Sequence, residues 1–415
     1  MSNMSGKFYK LTMNDVPIVG KTVLVRADYN VPLTSDGKVA DDYRIKMSVP
    51  TIKKLIADEC RVVIISHLGR PDGQVNAKFS LAPVAVRLSE LLEQPVEFID
   101  DCIGQKVFMS VKNSAKGSVT LLENLRFHPE EEANDPDFAR QLAKQSRADY
   151  FVQDGFGVVH RAHASTSAIT QFLPSVSGLL LEREYMTITG AMKTPERPLV
   201  AVLGGAKVSD KIGVIQALVD VADTIIIGGA MANTFLAHRG ISVGASKVEA
   251  DQGETIDTIY QKVAAKVGQE HVDSFLVLPV DIGAGGSTEP MATRQDVPVT
   301  GIPDRLMALD LGPETTKRIE SIVKRARTVI WNGTLGFAEI PAFATSSAAL
   351  AKVLADNKHE ITSVIGGGDT ADFVIHWDPD HGASFSHVST GGGASLELMA
   401  GEKLPGIEAL LDANK

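Results

Sequence analysis

The 415-residue chain is 44% hydrophobic and 22% charged, the balance of an ordinary folded protein, and it exceeds what one hydrophobic core usually serves, so two domains are expected. Its net charge of −10 argues against a general affinity for nucleic acid or an anionic membrane, so any site for an anionic substrate must be locally basic. No apolar run approaches the roughly 18 residues of a membrane span, and residues 1–10 hold no apolar signal core.

Along the chain, short β-branched runs alternate with longer helical patterns, which predicts α/β architecture with parallel sheets. In the first half strands are expected at 22–26, 62–66, 96–100, 119–122 and 150–153, with helices at 45–58 and 83–92. Cys60 and Cys102 stand far apart in no metal-ligand spacing, which fits a reducing, cytoplasmic setting without disulfides. Segment 174–198 opens on Pro174 and Ser175, runs through a helical pattern at 179–192 and closes on Lys193-Thr194-Pro195, so it reads as the domain boundary. A helical connector is stiff, and a stiff connector between α/β domains predicts a hinge closing over ligand. The second half repeats the alternation, with strands at 199–203, 224–227, 275–278, 328–331 and 362–365 and a helix at 212–221. The expected fold is two doubly wound parallel-sheet, Rossmann-like domains, 1–182 and 193–399, joined by a helical hinge.

In open α/β sheets, ligands bind outside the carboxyl ends of the strands. In the first half those ends carry Asp28-Tyr29-Asn30, with Arg44 at a later helix start, then Ser66-His67-Leu68-Gly69-Arg70-Pro71 and Glu123-Asn124-Leu125-Arg126-Phe127-His128. Asp154-Gly155-Phe156-Gly157 and His160-Arg161-Ala162-His163 follow the strand at 150–153. Arginine's planar fork suits bidentate binding of phosphate and carboxylate, so the clustering reads as an anion site. The plainer alternative makes these arginines ion-pair partners of Asp28, Glu123 and Asp154. His160 and His163, three apart, fit one helical face; substrate contact or a structural role is favoured over a metal, because no companion ligand stands at the right spacing.

In the second half, Gly204-Gly205-Ala206-Lys207-Val208-Ser209-Asp210-Lys211 follows a strand, and its lysines, one in the loop and one in the first helical turn, can both point at phosphate oxygens. Gly228-Gly229 reads as tight strand–helix packing. Asp310-Leu311-Gly312-Pro313 and Trp331-Asn332-Gly333-Thr334-Leu335-Gly336-Phe337-Ala338-Glu339 form further strand-end loops, with Glu339 a candidate acceptor for ribose hydroxyls. The turns Gly366-Gly367-Gly368-Asp369-Thr370 and Gly391-Gly392-Gly393-Ala394-Ser395 precede helix starts, where backbone N–H groups and the positive dipole end hold phosphate. Asp369 is the candidate carboxylate for Mg²⁺ beside a nucleotide. Walker, dinucleotide-fingerprint and protein-kinase motifs are missing from the sequence.

Taken in order, Val25-Arg26-Ala27-Asp28-Tyr29-Asn30-Val31-Pro32 and the motifs around His67, Arg126 and Arg161, then those around Lys207, Trp331 and Asp369 and Phe385-Ser386-His387-Val388-Ser389-Thr390-Gly391-Gly392-Gly393, resemble the phosphoglycerate kinase family over almost the whole chain. The resemblance implies reversible phosphoryl transfer between 1,3-bisphosphoglycerate and ADP, giving 3-phosphoglycerate and ATP, with Mg²⁺, by a cytoplasmic monomer of glycolysis and gluconeogenesis. It implies that Asp28, Asn30, Arg44, His67, Arg70, Arg126 and Arg161 bind the phosphoglycerate. Lys207, Lys211, Gly312, Glu339, Gly367, Gly368, Asp369 and Thr370 would hold the nucleotide, with Asp369 on the metal. Arg44, Lys211, Gly367 and Gly392 would stabilise the moving phosphoryl group, and residues 400–415 would fold back on the first domain. The family's W-N-G-P-M-G-V-F-E reads here with Thr334, Leu335, Phe337 and Ala338, which puts base selectivity in question, and its D-A-F-G-T-A-H reads with Gly155, Val158 and Val159. The alternatives are a related small-molecule carboxylate kinase and a non-catalytic binding protein; intact Lys207, Lys211, Arg44 and Asp369 weigh against the second.

Overall fold

The structure is a computed structural model that describes residues 7–413. The described part of Met1–Met186 with that of Lys403–Lys415 forms one compact unit, and Thr187–Glu402 forms the other. Within the segment expected to be connector, Ser175–Ser177 is instead a strand of the first unit, and the division falls inside the helix Leu179–Lys193.

In the first unit β1 (Thr22–Arg26), β2 (Arg61–Ile65), β3 (Val96–Ile99), β4 (Val119–Leu122), β5 (Tyr150–Gln153) and β6 (Ser175–Ser177) make one parallel sheet in the order β3-β4-β2-β1-β5-β6. Alternate side chains of a strand point to opposite faces. Val23, Val25, Val62, Ile64 and Leu121 pack on one side with Ile52, Leu55 and Leu88 of the helices Tyr43–Ala57 and Ala82–Leu92. Leu24, Val63, Ile65, Leu122 and Phe151 pack on the other with Val107, Phe138 and Leu142 of the helices Gln105–Asn113 and Pro136–Gln145. Burial of both faces is why these strands read as unbroken apolar runs. Residues of the C-terminal segment close on this unit: Lys10 Nζ bonds Glu408 O at 2.8 Å and Asp412 Oδ1 at 2.7 Å, and Leu411 N–H donates to Ser175 O at 3.0 Å. Residues 414–415 of the expected 400–415 segment and 1–6 of the expected first domain lie outside the described residues.

The second unit contains β7 (Leu199–Leu203), β8 (Thr224–Ile227), β9 (Leu276–Val277), β10 (Asp281–Gly285), β11 (Arg294–Pro298), β12 (Met307–Leu311), β13 (Thr328–Asn332), β14 (Thr362–Gly366) and β15 (His387–Val388). Six of them form a parallel sheet in the order β15-β14-β13-β7-β8-β9, and the others an antiparallel sheet, β11-β10-β12. The chain runs outward from β7 to β9, returns to the opposite side of β7 at β13, and runs outward again. Strand order therefore reverses between β7 and β13, as it does at β1 between β2 and β5 in the first unit. Such reversals open the crevice in which α/β sheets take ligands. The two strand ends at the second crevice approach closely: a Cβ on Gly204 would lie 2.0 Å from Thr334 O, and one on Gly333, where φ is +97°, would lie 2.3 Å from the Gly204 carbonyl carbon. Only glycine permits both the conformation and the approach.

Candidate active site

At the carboxyl edge of the first sheet, loops gather the basic side chains. Arg26, the last residue of β1, is buried; it donates from Nε to Ser165 Oγ at 2.8 Å, from one terminal nitrogen to Ala27 O, and from the other to His67 Nδ1 at 3.2 Å. Burial, reinforced by Arg26, Arg126 and Arg44, holds the His67 pKa well below the ordinary histidine range, so the ring is neutral. Arg44, in the first turn of Tyr43–Ala57, reaches Asp28 Oδ2 at 2.9 Å, while Asp28 Oδ1 accepts from Asn30 N–H at 3.1 Å. Asn30 Oδ1 accepts from Gly69 N–H at 2.9 Å, and Arg126 donates to Gly69 O at 2.8 Å. The loop after β2 is thus fixed, with Arg70 exposed beyond it. Arg161 is exposed and donates to His160 Nε2 at 3.2 Å, which places the neutral ring's proton on Nδ1. The Nδ1 atoms of His160 and His163 are buried without a hydrogen-bond partner among the described residues. Burial first, then Arg26, Arg126 and Arg161, push the His163 pKa down to about 4. Cations close enough to add to burial in suppressing their histidine neighbours thus gather at this edge of an acidic chain.

In the second unit the crevice between β7 and β13 carries Lys211 and Asn332. Lys211 closes the 3₁₀ turn Ser209–Lys211 and is buried, with Nζ hydrogen-bonded to Asn332 Oδ1. Burial pushes its pKa down to about 8, partly offset by Asp210 and Asp369. Asn332 Nδ2 is buried without a partner among the described residues and lies 3.2 Å from where a Cβ on Gly367 would sit. Gly367, with φ at +91°, caps the helix Gly368–Trp377, whose first turn holds the exposed Asp369. Nothing lies within 4 Å of where a Cβ on Gly368 would be. Thr370 is buried, its Oγ1 accepting from Gly333 N–H at 2.6 Å, so it ties this helix to the loop after β13. Lys207 and Glu339 are exposed in the loops after β7 and β13. An exposed carboxylate at a helix N-terminus beside a buried ammonium suits Mg²⁺ held jointly with phosphate oxygens, since that ion takes one or two carboxylates and keeps water.

Several expectations change. Lys211 closes a 3₁₀ turn ahead of the α-helix, not the helix's own first turn, and is bound to Asn332, while Lys207 is exposed in the loop. Gly391 N–H already donates to Ser389 Oγ at 3.0 Å, while Gly392, with φ at +49°, caps the helix Gly393–Met399. Gly312 is packed against Asp281, whose carboxylate caps the helix that follows, accepting from Glu314 N–H at 2.9 Å and Thr315 N–H at 2.7 Å. The ion partners are Asp28 for Arg44 and Glu132, at 3.0 Å, for Arg126; Glu123 instead accepts from Leu81 N–H and Asp154 from Leu180 N–H. His160 and His163 lie outside any helix, so no helical face joins them. Arg26, Glu131, Ser165 and Asn332 also belong to these clusters; Arg26 closes the apolar run TVLVR with a charge and Asn332 closes TVIWN, while Glu131 and Ser165 carry no such mark. Spacing also hid that Asp101, Cys102 and His128 bring ligand atoms within 4.8 Å of one another, where His128 Nε2 bonds Asp101 Oδ1 at 3.0 Å and burial pushes the Cys102 thiol well up.

A sequence model of the family described as phosphoglycerate kinase matches residues 13–402. The chain belongs to the phosphoglycerate kinase family. The phosphoglycerate kinase of Pelotomaculum thermopropionicum is 48% identical over 403 residues, covering 97% of this chain and 99% of that protein. That of Prosthecochloris aestuarii is 45% identical over 405 residues, covering 97% and 100%. Among solved structures, phosphoglycerate kinase from Coxiella burnetii matches with a TM-score of 0.81 at 36% identity, covering 96% of this chain and 98% of that one. The enzyme from Pyrococcus horikoshii matches with a TM-score of 0.80 at 31% identity and the same coverage. Membership makes the chain a phosphotransferase with a carboxyl acceptor, a kinase of glycolysis, and its two parallel sheets are those of phosphoglycerate kinase structures. Among the described residues no helix is long and apolar enough to cross a membrane.

Proposed function

We propose that this chain moves a phosphoryl group reversibly between 1,3-bisphosphoglycerate and ADP, with each unit serving one substrate. In the first unit Asp28, Asn30, Arg44, His67, Arg70, Arg126 and Arg161 take the phosphoglycerate. In the second, Lys207, Lys211, Gly312, Glu339, Gly367, Gly368, Asp369 and Thr370 take ATP or ADP, with Asp369 the ligand for Mg²⁺. When bound, that ion would neutralise charge on the phosphate oxygens. The carboxylate of 3-phosphoglycerate is already a nucleophile at neutral pH, so the protein has no proton to abstract. Positioning and charge neutralisation remain, and they fit a site whose histidines are held neutral and whose cations are arginine and lysine. Arg44, Lys211 and the N–H groups of Gly367 and Gly392 would stabilise the moving phosphoryl group.

The observation that carries this reading is the Lys211–Asn332 pair. A buried ammonium and a buried, unpartnered Nδ2 beside a glycine turn are both satisfied by an anionic oxygen. We also read the protein as a cytoplasmic monomer, because one chain supplies both substrate clusters; sedimentation as a dimer would contradict it. The deciding assay is 3-phosphoglycerate-dependent ATP consumption, run against other small carboxylates. Strong preference for 3-phosphoglycerate is expected. Equal turnover with another acid would make the chain a related carboxylate kinase, and no turnover would make it a binding protein.

A further inference from the structure

Behind the first cluster lies a chain of buried hydrogen bonds that the phosphoryl-transfer chemistry does not itself require. Glu131 is fully buried; Ser165 donates to it twice, from its N–H at 2.9 Å and from Oγ at 2.6 Å. Arg26 Nε donates into the same Ser165 Oγ at 2.8 Å. Each proton in this chain has one possible direction. A guanidinium only donates, so Ser165 Oγ accepts from Arg26 and turns its own proton toward Glu131. The guanidinium plane is fixed again by the bond to Ala27 O, and its remaining edge meets His67 Nδ1 at 3.2 Å. Because that edge too can only donate, Nδ1 must be the acceptor, and the neutral ring carries its proton on Nε2.

We propose that Glu131 and Ser165 are positioning residues that act through Arg26 to lock His67 as a neutral Nε2–H donor facing the phosphoglycerate. An unprotonated Nε2 would point a lone pair at an anion, whereas an Nε2–H gives it a charge-assisted bond. Three features agree with this reading. The whole chain is buried, so water does not compete for its protons. The Glu131 carboxylate balances the Arg26 charge inside the fold, which lets an arginine sit beneath an anion site without solvent. An imidazolium at His67 would set Nδ1–H against an Arg26 N–H, so the contact that fixes the tautomer adds to burial in holding the ring neutral.

The inference rests on the proposal that His67 touches the substrate, and the test separates the two. Long-range ¹H–¹⁵N correlation on the ¹⁵N-labelled, unliganded protein reads the tautomer directly. At neutral pH, His67 Nδ1 is expected in the unprotonated range and Nε2 in the protonated range. In Ser165→Ala and in Glu131→Gln, the two nitrogens should move toward each other as tautomers mix. KM for 3-phosphoglycerate should rise about tenfold while kcat changes less than about threefold, since a bond to a charged group is weakened. A wild-type His67 protonated at Nδ1, or on both nitrogens, overturns the inference without any variant. So does an unshifted Nε2–H signal in either folded variant. If the tautomer is as stated but Nε2 does not respond to saturating 3-phosphoglycerate, His67 is no substrate ligand, and the reading beneath the inference is overturned instead.

Discussion

Lys211→Met separates what the second cluster demands of the fold from what it does for the reaction. Burial holds the Lys211 pKa at about 8, against 10.5 for an ordinary lysine. A gap of about 2.5 pH units is worth about 3 kcal/mol, the penalty of keeping that ammonium charged at neutral pH. Because the folded-state pKa is the lower one, the unfolded chain binds more protons between about pH 8 and 10.5. In that window this group makes stability rise with pH, and below pH 8 its full penalty applies. Methionine fills a similar volume without charge but leaves Asn332 Oδ1 unpartnered, which costs about 1–3 kcal/mol. The variant is therefore expected to be as stable as the wild type at pH 7, or up to about 2 kcal/mol more so. Urea unfolding of both proteins at pH 7 and pH 10 reads the difference, and the wild type should close on the variant at the higher pH. Turnover at saturating substrates should fall by about 10² or more. A variant less stable than wild type at pH 7 by more than about 1 kcal/mol, or the same pH response in both, would refute the burial argument. Retained turnover with a raised KM would make Lys211 a ground-state ligand only.

Arg44→Ala removes the partner of the buried Asp28 carboxylate, and kcat should fall by about 10² or more with a smaller change in KM for 3-phosphoglycerate; turnover within about threefold of wild type would dismiss its catalytic role. Asp154 is buried with its pKa pushed up to about 6 from 3.8, so the folded chain binds the extra proton between those values and stability falls by about 3 kcal/mol as pH rises through them. Asp154→Asn should abolish that decline in denaturation midpoints taken at pH 4.5 and 7, and a variant less stable at pH 7 would count against it. Gly333→Ala should destabilise by about 2 kcal/mol or more, since it meets both a positive φ and the Gly204 backbone. Gly368→Ala, with open space around it, should unfold like wild type; equal losses in the two would show that the strand-end contact is not what Gly333 provides.

The parallel sheets were legible because a strand buried on both faces must be an apolar run, and β1, β4, β5, β7 and β8 fall where those runs lie. Strands without an apolar run escaped notice, although β6, β10 and β15 are buried as well. β6 is the triplet Ser-Val-Ser, β15 has two residues, β10 is the glycine-rich DIGAG, and β11 is the largely polar RQDVP. β6 pairs with β5 and β15 with β14 across long intervening segments, which no local pattern records. The clusters divided in the same way. Glycines and exposed cations at strand ends announced themselves by position. Glu131 and Ser165 did not, because a carboxylate in Pro129-Glu130-Glu131-Glu132 looks like its exposed neighbours until the fold buries one of them completely.

The carboxylates among the arginines explain how an acidic chain keeps a basic cluster ready for substrate. Arg44 is tied to Asp28 and Arg126 to Glu132, and Arg26 faces Glu131, so these guanidiniums do not confront one another uncompensated. A fork with five donors can bind a carboxylate on one edge and present the rest. Arg126 uses Nε for Glu132 and one terminal nitrogen for Gly69 O, which orients its other terminal nitrogen before any ligand arrives. Lysine, a point charge on a flexible stem, could satisfy the acid or the ligand but could not be oriented by one for the other. The acids therefore do more than offset charge. They fix the direction of each remaining donor, so that a substrate anion meets an already ordered array and less entropy is lost on binding.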